Sequence, residues 1–95
     1  RMSLKLSGAE KSRLRGRGQT LEAALKIGRE GASPAVIAAL DRLLTAHDLV
    51  KVRFMGADRD QRAILTSQLV EGTTSTFAGS VGSTALFYRP KVEIV

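Results

Sequence analysis

The chain has no cysteine and no tryptophan, only two prolines, and one histidine in 95 residues, and each shortage closes off some chemistry. Without cysteine there is no disulfide, no thiolate zinc site and no thiol nucleophile, and a reducing cytoplasm is the expected compartment. No apolar run approaches the roughly 18 residues a membrane-spanning helix needs. The N-terminus also lacks the apolar middle of a signal peptide, so neither a membrane partner nor export by that route is expected. One histidine among scattered acids leaves little material for a base and nucleophile pair, so an enzyme is not expected. Aromatic residues number four, Phe54, Phe77, Phe87 and Tyr88, most of them placed like core residues. Base stacking across an aromatic sheet is therefore not the expected mode of any nucleic-acid contact.

What is present is positive charge. Fifteen Lys and Arg against nine Asp and Glu give a net charge of +6, which favours a polyanionic partner. The excess is local: residues 1 to 17 hold Arg1, Lys5, Lys11, Arg13, Arg15 and Arg17 against Glu10 alone. Such a cluster attracts a phosphate backbone by releasing counterions, although a solvated basic arm has the same composition. Arg1, ahead of Met2, is discounted as a leftover of an expression leader.

With 43% hydrophobic and 25% charged residues the chain fits one domain with a single modest core. Ser7 and Glu10 have capping-box spacing, predicting a first helix from Gly8 to about Arg15 that ends at Gly16 or Gly18. Alternation from Leu21 through Ile27 predicts a strand. Ser33 as N-cap and Pro34 as first helical residue open a second helix, with Val36, Ile37, Leu40, Leu43 and Leu44 as its apolar stripe up to about His47. Leu49 to Met55 alternates again, with Val50, Val52 and Phe54 opposite Lys51 and Arg53. Asp58 with Gln61 starts a third helix with Ile64, Leu65 and Leu69 facing inward and Gly72 as its stop. Thr74 to Val81 and Thr84 to Tyr88 form a hairpin on the type II′ signal Gly82-Ser83, and Arg89-Pro90 ends the last strand. The expected fold is a two-layer α/β (α+β) domain, α-β-α-β-α-β-β, with a mixed four-stranded sheet. Residues 1–6 and 91–95 are expected to be loose termini.

The loop Gly28-Arg29-Glu30-Gly31 lies between a strand end and a capped helix start. Its glycines let backbone approach a ligand, the amides of the following helix suit a phosphate, and Arg29 adds a charged fork. A strand-to-helix turn can equally use glycine for positive φ alone. The loop lacks the third glycine of a dinucleotide fingerprint and the ending of a P-loop, so no nucleotide cofactor is expected. Lys26, Lys51, Arg53, and Arg89 with Lys91 could extend a phosphate track. His47 reads as a helix-end residue, Asp58 and Asp60 as cap and dipole partners, and Thr73 to Thr76 as strand former, so no cofactor or metal is assigned.

Several segments together resemble a known family: Leu6-Ser7 opening the first helix, Leu25-Lys26-Ile27-Gly28-Arg29-Glu30-Gly31 with the helix from Ser33, His47-Asp48-Leu49-Val50-Lys51-Val52, and Ala85-Leu86-Phe87-Tyr88-Arg89-Pro90. They resemble the CRM domain (chloroplast RNA splicing and ribosome maturation), especially its stand-alone bacterial YhbY-type members. That resemblance implies a fold similar to the C-terminal domain of translation initiation factor three. It also implies an RNA-binding module for precursors of the large ribosomal subunit, with Gly28 to Gly31 contacting RNA backbone and Lys11, Arg13, Arg15 and Arg17 adding basic surface. Two departures stand out: Glu30 puts an acid in the loop, and Ser83 follows Gly82 where relatives often carry lysine.

The expected function is RNA binding in large-subunit assembly, with ribosomal RNA or its precursor and the pre-ribosomal particle as partners, by a monomer without cofactor. The alternative is a protein-interaction module docking a ribosomal or assembly-factor protein.

Overall fold

The computed structural model describes residues 6–90. Along the chain run α1 (Gly8–Gly18), β1 (Leu25–Ile27), α2 (Pro34–Ala46), β2 (Leu49–Phe54), α3 (Arg59–Thr73), β3 (Thr76–Val81) and β4 (Thr84–Tyr88). Each helix begins on a side chain that satisfies its free amides. Glu10 N–H donates to Ser7 Oγ at 3.1 Å while Ser7 N–H donates to Glu10 Oε1 at 2.9 Å. Val36 N–H donates to Ser33 Oγ, and Asp58 with Gln61 repeats the reciprocal box.

The sheet order is β1-β2-β4-β3. β1 is parallel to β2, while β4 is antiparallel to both β2 and β3. Side chains alternate across a strand, so Val50, Val52 and Phe54 join Ile27, Ala85 and Phe87 beneath Val36, Leu40 and Leu44 of α2 and Leu69 of α3. Leu40, Val52, Leu69 and Phe87 are fully buried, each such side chain contributing on the order of 2 kcal/mol. Sheet, α2 and α3 form the expected two layers. α1 adds cover on the opposite face, where Leu14 packs with Leu49, Ala78 and Leu86. A Cβ at Gly18 would stand 2.5 Å from Leu86 Cδ1, so glycine there lets α1 lie flat on the sheet.

Three local expectations are corrected. The strand expected from Leu21 starts only at Leu25, because α1 continues to Gly18 and turns at Gln19 and Thr20. Leu21 to Ala24 then lead the chain past β2, with Ala24 N–H donating to the Lys51 carbonyl at 2.9 Å. Gly72 does not stop α3. Its missing Cβ, which would lie 2.9 Å from Ile37 Cγ2, lets α3 approach α2, and the left-handed cap is Thr74 at φ 52°. β3 accordingly starts at Thr76. Ile64, expected inward, is 59% exposed, whereas Leu69 is buried.

At the hairpin Gly82 takes φ 58° and Ser83 does not, as a type II′ turn requires. Of the ends expected to be loose, residues 1–5 and 91–95 lie outside the described residues, as do Arg1, Lys5 and Lys91. Leu6 is described and packs against the apolar cluster under α1. Among the described residues no helix is long and apolar enough to cross a membrane.

Candidate nucleic-acid interface

The Gly28–Gly31 segment leaves the buried end of β1 and closes a tight turn in which Gly31 N–H donates to the Gly28 carbonyl at 3.2 Å. Gly31 takes φ 60°, and a Cβ there would meet Leu65 Cδ2 at 3.2 Å. Both the left-handed backbone and the close approach to α3 therefore select glycine at this position. Arg29 and Glu30 at the tip are exposed. Glu30 folds back so that its Oε1 lies 3.3 Å from where a Gly28 Cβ would be. The acid thus stands over the loop itself, and no hydrogen bond or ion pair joins it to Arg29.

Parallel strands bring their C-terminal ends to the same edge of a sheet, so the connection leaving β2 lies beside the glycine loop. Met55 N–H donates to the Ile27 carbonyl at 2.7 Å, joining the two connections. Between them is an open cleft of about 800 Å³ lined by Arg29, Met55, Gly56, Gln61, Ile64 and neighbours.

Lys26 and Arg53 are register partners across β1 and β2. Both are exposed and project from the sheet face opposite α2 and α3, immediately before the loop. At the usual spacing of about 4.8 Å between strands, this is a paired cation. Lys51 shares the face two residues earlier, but its Nζ donates to the Leu21 carbonyl at 3.0 Å, which anchors the crossing segment.

The α1 cations divide. At 100° per residue, Lys11 and Arg15 fall on one flank and Arg13 and Arg17 on the other. The aliphatic stem of Arg15 covers Gly79 of β3, where a Cβ would stand 2.8 Å from Arg15 Cγ. Arg17 forms a two-pronged pair with Asp48, Nη2 to Oδ1 at 2.9 Å and Nη1 to Oδ2 at 3.2 Å. The hydrogen-bonded guanidinium lowers the Asp48 pKa, and the carboxylate raises that of Arg17. Lys11 and Arg13 are exposed.

Arg89, read from sequence as part of the phosphate track, is corrected. Its Nη1 donates to Asp41 Oδ1 at 2.7 Å and to the Thr73 carbonyl at 2.6 Å, while Nη2 donates to the Asp41 carbonyl and Thr45 Oγ1. Four of its five N–H donors are used inside the protein, tying the end of β4 to α2 and α3, and that is the other side of the sheet.

His47 is the C-cap of α2, and Asp58 is occupied in capping α3. Among the described residues no three His, Cys, Asp or Glu side chains gather as metal ligands would. Met55, Gly56 and Ile64 are the site residues that sequence reasoning missed. Their signal was the parallel pairing itself, which makes the two strand-to-helix connections neighbours.

The CRS1/YhbY (CRM) domain model matches residues 6–89. An RNA-binding protein from Haemophilus influenzae is 30% identical over 88 residues, covering 93% of this chain and 89% of that protein. A Pseudomonas aeruginosa protein named as a probable RNA-binding protein is 33% identical over 84 residues, covering 88% and 81%. A solved structure is also similar: a hypothetical protein from Staphylococcus aureus, described as a candidate RNA-binding protein, superposes with a TM-score of 0.82. It is 28% identical and covers 94% of this chain and 93% of its own.

Proposed function

The chain belongs to the CRS1/YhbY (CRM) family, and from that membership we propose that it binds RNA without catalysing a reaction. Its target in this reading is large-subunit ribosomal RNA in assembling precursor particles, met in the cytoplasm by a single domain acting as a monomer.

One observation carries the reading. The glycine loop follows Lys26 at the end of β1, and the Lys26–Arg53 pair beside it lies on the sheet face that α2 and α3 leave open. Backbone amides and cations placed together recognise phosphate geometry rather than base identity. Arg29 lies at the loop tip, and exposed Arg13 is carried by α1 on the same side of the sheet as the pair. Arg89, Arg17 and Lys51 already make bonds within the protein, which favours the remaining cations as the RNA-facing set.

The test is crosslinking in cells followed by mapping of the bound nucleotides, with wild type compared against Arg29→Ala/Lys26→Ala/Arg53→Ala. Recovery of large-subunit ribosomal RNA by the wild type and its loss in the variant is the expected result. Association with precursor particles that survives nuclease treatment and is indifferent to these residues would replace the RNA reading with docking onto a protein.

A further inference from the structure

Met55 and Ile64 are 52% and 59% exposed, and they stand together on the wall of the cleft beside the glycine loop. Scattered exposed apolar side chains are ordinary. These two differ because they share a concavity with Arg29 and the glycine loop.

We propose that this cleft takes an unpaired nucleobase, so that the protein grips single-stranded or looped RNA rather than duplex; the inference rests on the RNA reading above. Three features of the cleft select that occupant. Its volume of about 800 Å³ lies within the range of roughly 300–1,000 Å³ typical of small-molecule sites. Two apolar side chains form far too small a patch for a stable protein partner, which needs about 1,000 Å² of buried surface. Among the described residues the one charged side chain lining the cleft is the cation Arg29, so an apolar group entering here is best attached to an anion, as a base is to its phosphate.

Met55 suits the face of a ring, because its flexible thioether adapts to an aromatic surface and sulfur contacts with rings are favourable. Gly56, at φ 75° with open space where a Cβ would be, makes the turn that carries Met55 to the rim. A base-paired helix keeps the faces of its bases stacked inside and offers sugars, phosphates and base edges. It would leave Met55 and Ile64 wet.

The experiment compares binding of a short oligoadenylate and of an RNA duplex of equal length, at low salt, to the wild type and to Met55→Ser/Ile64→Ser. Because both residues are exposed, the variant keeps its fold, which a thermal melt verifies. The wild type should prefer the single strand, and the variant should bind it about tenfold more weakly, toward the low end of what loss of an aromatic base-stacking side chain costs, with duplex binding unchanged. The methyl resonance of Met55 should also move upfield as oligoadenylate is added, since a ring above it shields it. Equal binding of the single strand by both proteins, equal weakening on both ligands, or a wild-type preference for duplex overturns the inference alone. Failure of the wild type to bind any RNA overturns the RNA reading with it.

Discussion

Lys26 and Arg53 stand opposite one another in the parallel pairing of β1 and β2, two like charges on a sheet face that α2 and α3 do not cover. Neighbouring like charges raise the energy of the folded chain, and an anion lying across both relieves it. Replacing both by alanine should therefore leave the melting temperature unchanged or higher while weakening RNA binding. The slope of log affinity against log salt should become shallower by about 0.7 to 0.9 for each phosphate no longer neutralised. Anisotropy titrations at several salt concentrations, paired with a thermal melt, check both halves.

Glu30 opposes the same interaction. Its carboxylate lies over Gly28, where an approaching phosphate meets a like charge. Glu30→Gln keeps the shape and removes the charge, so RNA affinity should rise by roughly two- to tenfold, about 0.4 to 1.4 kcal/mol. The gain should shrink as salt screens it. An isothermal titration of both proteins at low and moderate salt measures it.

Arg89 should behave in the opposite way. Arg89→Ala removes four internal hydrogen bonds and leaves the carbonyl of buried Thr73 without this donor. The Asp41 side chain is half exposed, which limits the ionic share, so a destabilisation of about 1 to 3 kcal/mol is expected. Urea denaturation gives the number. RNA affinity, measured where the variant is fully folded, should not change.

The Arg17–Asp48 pair predicts a pH dependence of defined sign. Asp48 titrates below its ordinary range in the folded chain because Arg17 holds it ionised. Its stabilising contribution is therefore complete above the unfolded aspartate value of about 4 and is lost as pH falls through the lower folded value. Both side chains are more than a third exposed, so the effect is well under about 1 kcal/mol. In melts from pH 6 to pH 2, Asp48→Asn should remove this component of the acid-side decline.

Much of the fold is legible in the sequence where the determinant is local. Ser7 with Glu10, Ser33 with Pro34, and Asp58 with Gln61 each place a helix start, because a cap and its amides lie within four residues. The alternation of β2 and the Gly82-Ser83 turn are local in the same sense. What the sequence hides is set by partners distant along the chain. Gly72 looks like a helix stop, but it is glycine because Ile37 presses on it. Leu21 to Ala24 alternate like a strand, yet they connect the end of α1 to β1.

The site divides along the same line. The glycine loop and the Lys26 and Arg53 positions could be named from pattern alone. That Arg89 is occupied by Asp41 and Thr45, and that Met55 adjoins Arg29, depends on how α2, α3 and the sheet are assembled. No run of neighbouring residues contains that information.

Both outer strands of the sheet make poor templates for a further strand. β1 offers only three residues. In β3 the ladder is interrupted between Phe77 and Gly79, and Gly79 takes φ 146° beneath the Arg15 stem. Breaks of this kind discourage lateral addition of a strand from another molecule. A protein crowded along a polyanion at high local density gains from that, since copies can sit side by side without fusing into aggregates.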